Sequence, residues 1–151
     1  MIIVRTNSSE QDFRELCIQL DKELNSRYGK SQPRYDKYNI IEDNQTVIVG
    51  YIDGIPVAIG CFKALDQEKI EIKRMYVKTE YRRKGLSTSI LASIENWAKE
   101  LGFSIAIWET GKKQPEAINL YKKQGYEIID NYGPYVGIAN SICMKKKIKK
   151  L

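Results

Sequence analysis

The chain has 151 residues, 42% of them apolar and 29% charged, with a formal charge of +6. That composition suits one ordinary domain with a real core, and it excludes disordered and membrane-embedded chains. Histidine is absent altogether, which removes histidine-based triads, HExxH zinc sites and imidazole bases; no metal is expected.

Five lysines, Lys145, Lys146, Lys147, Lys149 and Lys150, fall in the last seven residues, and without them the chain carries about +1. The excess is expected to be a solvated strand end rather than a basic face, so no nucleic acid partner is expected. Cys17, Cys61 and Cys143 are odd in number and lack CxxC spacing, which reads as three reduced, mostly buried thiols. No apolar run approaches the ~20 residues of a membrane span. The first residues also lack the basic start and long apolar stretch of a secretory signal. One cytoplasmic domain over residues 1–151, with no membrane partner, is the expectation.

Residues 2–5 read as a short strand. Ser9 followed by Asp12 resembles a capping box, and Phe13, Leu16, Cys17, Leu20 and Leu24 recur at helical spacing behind it. Residues 27–39 are polar and tyrosine-rich, with Tyr28, Tyr35 and Tyr38, and read as a loop or short helix. Residues 46–52 and 55–62 are strand-like and joined by Asp53-Gly54, a type I′ hairpin signal. In the next strand, 69–77, apolar Ile70 and Ile72 give way to Arg74 and Tyr76, a disturbed pattern expected near a site. Strict alternation would place Glu71, Lys73 and Met75 on one face.

A long helix follows from Leu86, through Ile90, Leu91, Ile94, Trp97, Ala98 and Leu101, with Gly102 beyond its end. Residues 105–108 form a strand, Pro115 opens a helix that Gly125 closes, and strands at 126–129 and about 138–148 complete the chain. The alternation of strands and helices favours an α/β layer fold.

Chemistry concentrates at Tyr81-Arg82-Arg83-Lys84-Gly85-Leu86-Ser87-Thr88, a basic, glycine-containing turn feeding a helix start. The first N–H groups of a helix lack intrahelical partners and its dipole favours negative charge there, so this is a physical anion site. By contrast, Gly29-Lys30-Ser31 is no phosphate loop, because Leu24 stands where the GxxxxGKS pattern needs glycine.

Two motifs carry a family resemblance. Glu71-Ile72-Lys73-Arg74-Met75-Tyr76-Val77 followed by Arg82-x-x-Gly85-x-Ser87 resembles motif A of the GNAT superfamily of acetyltransferases. Downstream, Ala117-Ile118-Asn119-Leu120-Tyr121-Lys122-Lys123-Gln124-Gly125-Tyr126 resembles that superfamily's A-I-x-L-Y-x-x-x-G-F/Y motif. The resemblance runs from about Thr46 onward; residues 1–45 share only the expected strand and helix.

The resemblance implies a GNAT fold: a mixed, mostly antiparallel, splayed sheet with helices on both faces. It implies direct transfer of an acetyl group from acetyl-CoA to an amine acceptor, a small molecule or a protein amino group, through a ternary complex. Arg82, Arg83, Lys84, Gly85, Leu86, Ser87 and Thr88 would hold the cofactor's pyrophosphate, and the main chain of Met75 and Val77 its pantetheine arm. Tyr121 matches the tyrosine that donates a proton to the departing thiolate. Two positions depart from the pattern: Ser87 stands where Gly or Ala is usual, and Gln114 where many members carry Asn at a cofactor contact.

Glu71 is the expected general base, with Glu109 as its competitor or as a positioning residue. Tyr28 and Tyr135 are the expected acceptor contacts, from the tyrosine-rich segment and the Tyr132-Gly133-Pro134-Tyr135 loop. A homodimer is the assembly allowed for. Two other readings stand beside this one: a catalytically silent CoA-binding regulator of the same fold, and a nucleic-acid binder using the lysine tail.

Overall fold

The computed structural model describes residues 1–28 and 41–148, without the side chain of Tyr28. Tyr28 as an acceptor contact, the tyrosine-rich segment beyond it, and Lys149 and Lys150 therefore lie outside the described residues. Element order is β1 (Ile2–Thr6), α1 (Gln11–Tyr28), β2 (Val47–Ile52), β3 (Ile55–Ala64), β4 (Lys69–Val77), α2 (Leu86–Glu100), β5 (Ile105–Gly111), α3 (Pro115–Lys123), β6 (Glu127–Ile129) and β7 (Ser141–Lys147). Short 3-10 turns occupy Thr79–Tyr81 and Gly133–Tyr135. Among the described residues no helix is long and apolar enough to cross a membrane.

The seven strands form one mixed sheet in the order β1-β2-β3-β4-β5-β7-β6, the expected α/β layer architecture. Neighbours run antiparallel except β4 and β5, which are parallel. The hairpin between β2 and β3 turns at Asp53 (φ 50°) and Gly54 (φ 78°), two left-handed residues in succession as a type I′ turn requires.

The faces of the sheet are covered differently. On one, Ile70, Ile72, Ala106, Trp108 and Met144 pack with Ile90, Leu91, Ile94 and Ala98 of α2 and Tyr121 of α3. On the other, Val47, Val49, Ile59 and Cys61 pack with Phe13, Leu16 and Cys17 of α1. Each fully buried aliphatic side chain contributes about 1.5–3 kcal/mol, so both helical layers are held firmly.

Three expectations need correction. Ser9 does not cap α1: its N–H and hydroxyl both turn back to Asn7 Oδ1, and the helix starts later, at Gln11. Short polar side chains readily make such local bonds in place of a cap. The last strand begins at Ser141 rather than 138, because Asn131 Nδ2 donates to the carbonyls of Tyr135 and Ile138 and holds that stretch as a loop. Not all of the lysine tail is solvated either, since Lys146 Nζ folds back to Glu95 Oε1 at 3.0 Å.

A fourth correction bears on the site. Cys61 pairs with Lys73 and Ile59 with Tyr76, so Gly60 alone faces Arg74 and Met75 in a β-bulge with Arg74 at φ 59°. The extra residue breaks the alternation. Glu71, Lys73 and Tyr76 therefore lie on the α1 face, while Met75 turns to the α2 face. There its Sδ would come within 2.7 Å of a Cβ at Gly60, where Ile90 and Ile94 press equally close.

Candidate active site

The parallel pairing of β4 and β5 is short. Lys69 to Ile72 pair with Ile105 to Trp108, and there the ladder stops. β4 runs on beside β3 to Val77, whereas Glu109, Thr110 and Gly111 of β5 pair only with β7. The sheet thus splits into a V-shaped gap. Lys78 donates its N–H to Val57 across the β3–β4 ladder, and successive residues alternate, so the main-chain groups of Met75 and Val77 face the gap. A cavity of about 60 Å³ occupies it, lined by Leu20, Leu24, Ile72, Lys73, Arg74, Met75, Trp108, Glu109, Thr110, Gln114 and Tyr135.

Beyond the open end of β4 the chain turns through Arg83 (φ 65°) and Gly85 (φ 76°) into α2. Gly85 is the N-cap residue, and no side chain caps this end. The amides of Leu86, Ser87 and Thr88 thus have no partner within the helix, and the left-handed turn directs successive N–H groups outward. Arg83, Lys84 and Gly85 are exposed, with Lys84 Nζ over the Tyr81 ring at 5.6 Å. Arg82 is engaged differently: its Nε donates to the Val77 carbonyl at 2.9 Å and its Nη2 to Glu23 at 2.7 Å. It braces the turn against α1.

Tyr121 is 1% exposed and lies against Trp108, ring centroids 3.9 Å apart, and edge-on to Tyr126 at 5.2 Å. Its hydroxyl has no hydrogen-bond partner among the described residues. Burial, reinforced by the nearby Glu95 carboxylate, raises the phenol well above its ordinary range, so it stays protonated. Among the described residues three further buried polar atoms lack hydrogen-bond partners: Trp108 Nε1, Thr110 Oγ1 and Arg74 Nη2. All three residues line the gap cavity. Buried polar groups are rarely left unpaired, so their clustering makes this gap the candidate site.

The two candidate carboxylates differ sharply. Glu71 is 3% exposed, sits on the paired part of β4, and accepts a hydrogen bond from the Tyr132 hydroxyl. Lys63 and Lys73 approach it at 3.7 and 3.6 Å. It is not among the residues lining the gap, and Tyr121 is not either, lying behind Trp108, which does line it. Glu109 does line it, one residue past the last rung. Tyr135, 6% exposed, lines the gap as well, and Gln114 is the N-cap residue of α3 at its edge. The cysteines are free and buried as expected, and desolvation pushes Cys17 and Cys61 up to about 12 and Cys143 to about 11. None is a ready thiolate at neutral pH.

Helix α1 closes the gap from its own side, with Leu20 and Leu24 on the cavity wall. Asp21 pairs with Arg74 and Glu23 with Arg82, both at 2.7 Å. Arg27 pairs with Glu116 and donates to the Lys113 carbonyl. Leu20, Leu24, Ile72, Lys73, Arg74, Trp108 and Thr110 line the gap without having been expected there from the sequence. The first two look like any apolar helix stripe, and the only signal for Arg74 was its charge inside an apolar strand.

The pattern described as "Acetyltransferase (GNAT) family" matches residues 13–126. An "IAA acetyltransferase" of Azospirillum brasilense is 31% identical over 152 aligned positions, covering 95% of this chain and 97% of that one. Among solved structures, a Klebsiella pneumoniae chain assigned as an acyl-CoA N-acyltransferase superposes with a TM-score of 0.82 at 24% identity, covering 98% and 97%. The PaiA N-acetyltransferase of Thermoplasma acidophilum, solved with coenzyme A, superposes with a TM-score of 0.72 at 16% identity, covering 97% and 99%. The chain belongs to the GNAT acetyltransferase family, and its sheet and helices have the fold of those structures.

Proposed function

We propose that the protein transfers an acetyl group from acetyl-CoA directly to an amine, with donor and acceptor bound together. The observation that carries this is the split between β4 and β5, with an uncapped helix start at its open end and cavity-lining groups from both faces of the sheet. That the Thermoplasma relative was solved with coenzyme A supports the donor.

The pyrophosphate sits on the amides of Leu86, Ser87 and Thr88, with Arg83 and Lys84 adding charge and Arg82 bracing the turn. Passing Gln114, the pantetheine arm follows the main-chain edge at Met75 and Val77 that β5 leaves unpaired, where the Val77 carbonyl already accepts from Arg82. The N–H at this edge also stabilises the charge that develops on the thioester oxygen.

Glu109 takes the proton from the attacking amine, because it lines the gap; Glu71 instead holds Tyr132, Lys63 and Lys73 in place. As nitrogen bonds to the acetyl carbon, the carbon–sulfur bond breaks and Tyr121 protonates the leaving thiolate. Tyr121 works from the α2–α3 face, so the acceptor enters from the α1 face past Tyr135, and holding both reactants supplies much of the rate. An amine panel with acetyl-CoA, read by thiol release, tests this reading. Saturable, amine-dependent thiol release is expected, whereas tight acetyl-CoA binding with no turnover on any amine would show a silent binder.

A further inference from the structure

We propose that the acceptor is an amine bearing a carboxylate, of the amino-acid class, with its carboxylate held by Arg74. This rests on the acetyl-transfer reading and specifies its acceptor. Arg74 is the bulge residue of β4, in a left-handed conformation (φ 59°) that costs a side-chain-bearing residue about 1 kcal/mol or more. The side chain is only 7% exposed, and Nη1 donates to Asp21 at 2.7 Å. Nη2 is buried and has no hydrogen-bond partner among the described residues.

A buried guanidinium N–H left unpaired is costly, and a carboxylate oxygen is the acceptor a guanidinium prefers. Arg74 lies two residues past the last β4–β5 rung, on the rim of the gap cavity, and it also lines a second cavity of about 30 Å³. Lys73 lines both as well, so cations form the wall the two cavities share. The carboxylate end of the acceptor docks on this wall, which leaves its amine beside Glu109. Leu20, Leu24 and Tyr135 give the side chain of such an acceptor an apolar surround.

The test compares free amino acids with their α-amides as acceptors, at saturating acetyl-CoA, in the wild type and in Arg74→Lys. Lysine keeps a positive charge opposite Asp21 but removes the second nitrogen. A charge-assisted pair predicts that the wild type prefers acid over amide by roughly tenfold or more in kcat/KM, and that Arg74→Lys brings this ratio to within about threefold of unity. Because the first figure needs no variant, misfolding of Arg74→Lys does not obscure it. Equal use of acid and amide, or a preference for the amide, overturns the proposal while acetyl transfer stands. So does a folded Arg74→Lys that keeps the preference, or acetyl-CoA binding with neither series acetylated. Absence of acetyl-CoA binding removes the acetyl-transfer reading, and this inference with it.

Discussion

At Tyr121 the surroundings fix the protonation state. Desolvation raises the phenol well above 10, so the proton stays on through neutral and alkaline pH. As a raised group it adds stability that is present below about pH 10 and is lost at higher pH, where the unfolded tyrosine ionises. Tyr121→Phe keeps the ring against Trp108 and deletes an unpartnered hydroxyl. Turnover is expected to fall about 10²-fold with acetyl-CoA affinity nearly unchanged, in line with the contribution of a general acid; steady-state kinetics and calorimetry measure the two. Wild-type activity in the variant would leave Tyr121 as packing.

The carboxylates divide in the same way. Glu109→Gln is expected to lower kcat most at low pH and to recover partly as pH rises, because the amine then loses its proton unaided. Glu71→Gln is expected to act on stability, costing about 1–3 kcal/mol by disrupting the bond from Tyr132 and the two lysine pairs, with a pH–rate profile shaped like the wild type. Thermal melts and pH–rate profiles of both variants decide it; a pH-dependent defect confined to Glu71→Gln would restore Glu71 as the base. Glu71 stood out in the sequence because of its motif. What favours Glu109 in the proposed reading is the lateral register of β4 against β5, which places Glu71 below the split, and register between distant strands leaves no trace in a local pattern.

Among the elements, the turn into α2 was the most legible: glycine, basic residues and a helical period announce an anion site without tertiary information. Gly85 needs its φ of 76° rather than space, for a Cβ there meets nothing within 4 Å. Gly85→Ala is therefore expected to cost only about 1–2 kcal/mol of backbone strain, while Gly85→Glu, which puts a carboxylate among the phosphates, is expected to abolish acetyl-CoA binding. Titration calorimetry on the folded variants checks this, and unchanged affinity in Gly85→Glu would move the phosphate site elsewhere. The bulge in β4 was visible only as a disturbed pattern. Nothing local said that Met75 would cross to the α2 face, because that follows from Gly60 standing opposite two residues. The start of α1 was misread because Asn7 competes for the hydroxyl of Ser9.

For the molecule as a whole, the two parts of the sheet, β1–β4 and β5–β7, share one ladder of four residue pairs. A donor lying along the gap would tie them together. At 100 times its dissociation constant, acetyl-CoA is expected to stabilise the fold by about 2.7 kcal/mol, which for a chain of this size is a rise of about 5–10 °C in Tm. Differential scanning fluorimetry reads the shift, and hydrogen exchange should slow most at residues 75–77 and 86–88. No shift at saturating ligand would contradict the site. The single α/β layer design was plain from the order of periodic segments, whereas the place where its sheet divides followed only from the family resemblance.

The order of strands has a last consequence, for how the protein is made. β1 to β4 lie side by side in the sequence in which they leave the ribosome, so that half can zip up as it appears. β7 emerges last of the strands yet is inserted between β5 and β6. Until residues 141–147 are out, the strand that carries Glu109 lacks its antiparallel neighbour. On the proposed reading the site is therefore complete only after synthesis of nearly the whole described chain, and a nascent chain stalled before β7 exposes an unpaired strand edge as a target for aggregation or quality control.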